Sequence, residues 1–111
     1  MWIFTTKGFL SVVQHNSSPE YFQVKSRIRD PLEELWPDCE IQVIDWADYR
    51  FRVNIHKEEA VRVIMKLLKS VDYTNFKQEC FEMPEYQRSL GGIWNIMYHF
   101  QESMKDPGGL E

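Results

Sequence analysis

Between Tyr49 and Val71 the apolar residues change from a period of two to a helical period with no turn residue between them. Tyr49, Phe51, Val53 and Ile55 alternate with Arg50, Arg52, Asn54 and His56, the pattern of a strand with one apolar and one polar face. Ala60, Val61, Ile64, Leu67, Leu68 and Val71 then recur at helical spacing, opposite Arg62, Lys66 and Lys69. Lys57, Glu58 and Glu59 open this helix, with the two carboxylates at the positive end of its dipole. A strand feeding straight into an amphipathic helix supplies a sheet surface and its cover. The rest of the chain reads as additions to that pair.

Met1 to Phe4 is a short apolar run, followed by Lys7-Gly8 and then Phe9 to Gln14. Gly8 permits the positive φ that a tight hairpin turn requires. Phe9, Leu10, Val12 and Val13 place apolar groups on both faces, which predicts an interior strand covered at least in part on each side. Tyr21 to Ile28 alternates, with Phe22, Val24 and Ile28 inward and Tyr21, Gln23, Lys25 and Arg27 outward. Asp30-Pro31 predicts a short helix with Asp30 as N-cap and Pro31 in the first helical position; Pro37 ends it. Cys39, Ile41 and Val43 predict a fourth strand. Asn75 with Gln78 resembles a capping box, and Pro84 precedes a final helix over 85–102 with Leu90, Ile93, Trp94, Met97 and Phe100 as its apolar stripe. Gly91-Gly92 inside that helix costs about 2 kcal/mol relative to alanine. The doublet calls for a helix break or close approach of another backbone, and close packing beneath Trp94 is the preferred reading.

The expected fold class is α+β: a single, mainly antiparallel five-stranded sheet with two longer helices packed on one face and one short helix. At 111 residues the chain is expected to form one domain over 1–106, with 107–111 as a tail whose last residues, Leu110-Glu111, read as a cloning remnant. An apolar fraction of 43% suits a packed core and excludes a disordered chain. Two cysteines, Cys39 and Cys80, are too few for a secreted disulfide scaffold of this size, which points to free thiols and a cytoplasmic location. No apolar run has the length of a membrane helix, so no membrane partner is expected.

Several segments carry a resemblance. Met1-Trp2-Ile3-Phe4-Thr5, Gly8-Phe9 and Ser11-Val12-Val13 resemble the opening of a family of short, uncharacterised bacterial proteins, in which Trp-(Leu/Ile)-Phe-Thr precedes Gly-(Phe/Tyr)-x-Ser-Val-Val. Val24 to Leu32, Asp48-Tyr49-Arg50-Phe51-Arg52, Asp72 to Lys77, and Ile93 to Met97 are similar to later parts of the same pattern; Gly91-Gly92 departs from it. The resemblance implies one compact bacterial domain and implies no activity.

Three kinds of chemistry can be weighed on the residues. His56, where the central strand meets the helix, could serve as an acid/base group oriented by Asp45 or Asp48. The preferred reading of the same residues is that the aspartates form the turn and His56 caps or flanks the helix, because no nucleophile lies at a telling spacing. No metal or other cofactor is expected, because His15, His56, His99, Cys39 and Cys80 show no ligand spacing. On the outer sheet face Lys25, Arg27, Arg50 and Arg52 lie near aromatic residues, which is how several RNA and single-stranded DNA modules bind. The net charge of −4 weighs against nucleic acid as a partner, and cross-strand acids would explain the arginines without a ligand. Trp46, in a polar turn, is the best candidate for contact with a protein. The expectation from sequence is a small non-catalytic accessory domain that binds a protein partner or itself through Trp46 and the sheet edge. Nucleic-acid binding is the alternative, and an enzyme using His56 and Asp48 comes last.

Overall fold

The structure, a computed structural model, describes residues 1–105; the tail expected at 107–111 lies outside the described residues. The chain divides into two compact units, Met1–Tyr73 and Thr74 onward. The first contains the whole sheet. Its strands are β1 (Trp2–Thr5), β2 (Gly8–Gln14), β3 (Tyr21–Ser26), β4 (Gln42–Val43) and β5 (Phe51–His56). They lie in the order β1-β2-β3-β5-β4, with every neighbouring pair antiparallel.

Two helices belong to this unit, α1 (Asp30–Leu35) and α2 (Lys57–Lys69). Leu10 and Val12 of β2, Val24 of β3, and Phe51, Val53 and Ile55 of β5 form one apolar cluster with Leu32 and Trp36 from the α1 segment and Ala60 of α2. Both helices therefore cover the same, inner face of the sheet. Five of these nine side chains are removed completely from solvent. At roughly 1.5–3 kcal/mol for each large buried side chain, this cluster is the main source of stability in the unit.

The strand-to-helix junction forms as the period predicts. β5 ends at His56, whose Nδ1 accepts the backbone N–H of Glu58 at 3.3 Å and so caps α2. The buried side of α2 is narrower than the sequence pattern suggests. Ala60 is buried and Val63 and Ile64 pack on the cluster, whereas Val61, Leu68 and Val71 are exposed. A two-sided helical stripe resting on a twisted sheet touches it along one edge only.

Local details differ from the sequence reading. The first hairpin pairs Thr5 with Gly8, so Thr6-Lys7 are the loop and Gly8 opens β2. Gly8 has φ +146°, and a Cβ there would stand 3.0 Å from the ring of Pro31. Glycine is required at this position by both the backbone angle and the approach of α1. Asp30 is the first residue of α1, not its cap; Arg29 occupies the cap position without a side-chain hydrogen bond. The fourth strand shrinks to Gln42–Val43, because Cys39 and Ile41 turn inward against the core from irregular backbone. β3 ends at Ser26, so Arg27 lies beyond the ladder.

The second unit holds α3 (Phe76–Glu79) and α4 (Pro84–Ser103). Asn75 Oδ1 accepts the N–H of Gln78 at 3.1 Å, half of the expected capping box. α3 packs against α4, and Cys80 and Leu90 are buried. Gly91-Gly92 neither breaks α4 nor admits a close neighbour: the helix is continuous, and a Cβ at either position would meet nothing within 4 Å. The expected packing beneath Trp94 is absent among the described residues. The helix accepts the propensity cost of two glycines with no compensating contact there.

Candidate nucleic-acid interface

The ladder register sets the outer face of the sheet. Trp2 pairs with Ser11, Ser11 with Lys25, Lys25 with Arg52, and Arg52 with Gln42. Directly opposed residues of antiparallel strands share a face, so these five form one row across all five strands. Leu10, Val12, Val24 and Val53 occupy the alternate positions and point into the core, which places the Trp2–Gln42 row on the side away from α1 and α2. Val13, Gln23 and Asn54 form the neighbouring row.

The row joins an aromatic cluster. The rings of Trp2 and Phe9 meet edge to face with centroids 5.4 Å apart, and Phe4 lies 4.8 Å from Phe9. The Tyr49 ring lies 6.1 Å from Phe9 and carries the Arg27 guanidinium above it at 4.6 Å. Trp2 is 69% exposed. The outer side of β2 is thus covered by neighbouring aromatic rings at Phe9, while Val13 stays open; a helix on that side is not part of this unit's packing.

The charge on this face has one sign. The five strands contain no aspartate or glutamate, and their only lysine and arginine are Lys25 and Arg52. These two cations stand directly opposite each other, with Cα atoms about 4.5–5.5 Å apart for such a pair. Neither has a carboxylate partner among the described residues. The Tyr49 carbonyl accepts from Arg52 Nη2 at 2.9 Å and orients the guanidinium without neutralising it. Like charges directly opposed destabilise a sheet. The overall acidity of the chain originates mostly elsewhere: ten of the thirteen basic residues but eleven of the seventeen acidic ones precede Thr74, which leaves the sheet unit close to neutral.

The four cations singled out from sequence therefore separate into two kinds. Lys25 and Arg52 stand unpaired on the sheet. Arg27 pairs with Asp48, donating to its carboxylate at 3.3 Å and to its carbonyl at 2.9 Å. Arg50 donates to Asp45 at 2.6 Å. Both pairs brace the turn that carries Trp46, which is 90% exposed. Sequence reasoning missed Trp2, Phe4 and Phe9 as outer-face residues because the strand pairing that joins them to Lys25 was not legible; their alternation with Ile3 and Leu10 was the available signal.

The acid/base constellation does not assemble. The Asp45 and Asp48 carboxylates are held by arginines, and His56 caps α2 while meeting the edge of the Tyr21 ring at 5.5 Å. No hydrogen bond or ion pair joins His56 to either aspartate among the described residues. Burial pushes the thiols of Cys39 and Cys80 above the ordinary range, opposite to the shift that activates a cysteine nucleophile. Both are free. Among the described residues no three His, Cys, Asp or Glu side chains converge as metal ligands, and no helix is long and apolar enough to cross a membrane.

No family model, curated protein or solved structure matches this chain.

Proposed function

We propose that the outer sheet face binds single-stranded nucleic acid. The observation that carries this reading is the row Trp2–Ser11–Lys25–Arg52–Gln42, in which two unpaired cations stand side by side, Lys25 two strand spacings (about 10 Å) and Arg52 three (about 14 Å) from an exposed tryptophan. A phosphate between Lys25 and Arg52 removes their mutual repulsion. A base stacked on Trp2, or on the exposed edge of its cluster with Phe9, uses a flat, sequence-tolerant surface. A single strand suits the site better than a duplex, because stacking on a side chain needs an unstacked base.

The test is fluorescence polarisation with short single-stranded and duplex RNA and DNA probes at low and physiological salt. Binding confined to single strands, weakening with salt, and lost in Lys25→Ala/Arg52→Ala is the expected result. Absence of binding at low salt removes the reading. With two phosphate contacts on a single strand, the slope of log K against log salt is about −1.4, and Arg52→Ala alone halves it to about −0.7.

A second reading rests on a different observation. Trp46 is almost fully exposed at the tip of a turn braced by two ion pairs, an arrangement suited to insertion into a pocket of a protein partner. Loss of a defined protein interaction in Trp46→Ala, with nucleic-acid binding unchanged, separates this reading from the first.

A further inference from the structure

Three cross-strand pairs follow one another along β3 and β5 on the outer face. Lys25 stands opposite Arg52, Gln23 opposite Asn54, and Tyr21 opposite His56. The chemistry thus changes along the strands from cation to amide to aromatic ring. Tyr21 is four residues from Lys25 on one strand, about 13 Å away. The amide pair is only partly satisfied. Gln23 Nε2 donates to Asn54 Oδ1 at 3.4 Å, while Gln23 Oε1 and Asn54 Nδ2 have no hydrogen-bond partner among the described residues. Val13 stands opposite Gln23 in the same row and is 39% exposed. At the far end His56, fixed as the cap of α2, holds the Tyr21 ring edge to face, and that ring stays 40% exposed.

We infer, resting on the reading that this face binds a single strand, that the strand runs from the cation pair along β3 to Tyr21 and that Gln23 and Asn54 hold the edge of one base on the way. A phosphate alone has no use for an amide acceptor beside an amide donor. A base does, since its Watson–Crick edge offers both donor and acceptor groups and is free only in an unpaired strand. Val13 gives that base an apolar neighbour. Neither β3 nor β5 contains a carboxylate that would repel the backbone. The phosphate seat then lies between two rings, Trp2 across the sheet and Tyr21 along it, roughly 16 Å apart on a flat sheet. The ligand is accordingly an oligonucleotide of about four nucleotides or more, near the lower limit of single-strand sites, and not a mononucleotide.

Fluorescence polarisation of the full chain with labelled oligouridylates of about two to eight nucleotides tests it, a range that brackets the smallest such sites. Affinity should rise with length to about four nucleotides and change little beyond. Tyr21→Ala should weaken binding of the four-nucleotide probe about 5- to 150-fold, the contribution of one stacked base. Tyr21→Phe, which keeps the ring, should retain the affinity. The salt slope should stay near about −1.4 in both, because no phosphate contact is lost. Gln23→Ala/Asn54→Ala should weaken binding about tenfold and remove the difference between the intact probe and one with an abasic central nucleotide. Binding that is lost in Lys25→Ala/Arg52→Ala but unaffected by Tyr21→Ala and by the amide variant overturns the inference and leaves the phosphate seat standing. A salt slope that falls in Tyr21→Ala, or an equal loss in Tyr21→Phe, overturns it as well. Absence of binding to every probe removes both this inference and the reading beneath it.

Discussion

The two faces of one sheet follow opposite rules. On the inner face Leu10, Val24 and Val53 are wholly excluded from water, and each touches a helix or a neighbouring strand within one apolar cluster. On the outer face the same strands present Trp2, Lys25 and Arg52, with an exposed ring and two cations that have no counter-charge. Strand alternation makes the two sets independent, since successive side chains never share a face. Stability is therefore concentrated on one side, which leaves the other side free to carry residues that are costly for folding. A helix-covered face tolerates no such residues, because an unpaired charge there would cost several kcal/mol.

The comparison is sharpest at Leu10→Ala. This change opens a cavity on the inner face and should lower stability by about 2–5 kcal/mol in urea unfolding. The affinity of the folded fraction for single strands should stay the same. An affinity change of the same size in free energy would show that the faces are coupled and would break the contrast.

Gly8→Ala tests the edge where both faces depend on backbone. The φ of +146° and the Pro31 ring 3.0 Å from the new Cβ predict a loss of about 1–3 kcal/mol, measured as a lower urea midpoint. Its effect should exceed that of Gly91→Ala, where open space and a helical backbone predict a gain of up to about 1 kcal/mol.

Trp2→Ala addresses the outer face. Unfolding stability should change by no more than about 0.5 kcal/mol, while single-strand affinity should fall by about 1–3 kcal/mol, the usual worth of one stacked base. The smallest expected effect is the most specific. Lys25→Gln removes the like-charge opposition to Arg52 and should raise stability by about 0.2–1 kcal/mol, with the gain shrinking as salt is added. A loss of stability instead would mean that Lys25 has a favourable partner and that the face is built for folding.

Much of the outer face was half legible. Lys25 and Arg52 were identified as outward cations from alternation alone, and the structure places them there. Arg27 and Arg50 were grouped with them, yet the turn aspartates hold both. The grouping failed because residues on one face by parity can still be captured by a neighbouring loop, and the reach of an arginine side chain exceeds one strand spacing. The helical stripes were less legible still. Leu68 and Met97 follow the helical period as faithfully as Ala60 does, but only Ala60 meets a surface.

By itself the sequence determined the alternation of β5, its direct passage into α2, the cap positions at His56 and Asn75, and the set of residues able to fill a core. These are local properties, written in periods of two and 3.6 and in the chemistry of single residues. The tertiary structure alone decided that β3 lies between β2 and β5, and hence that Lys25 stands beside Arg52 and in one row with Trp2. Residues 2, 11, 25, 52 and 42 are too far apart in the chain for any local period to relate them. Their alignment follows from strand order and register, which are set by how the whole apolar surface is buried at once.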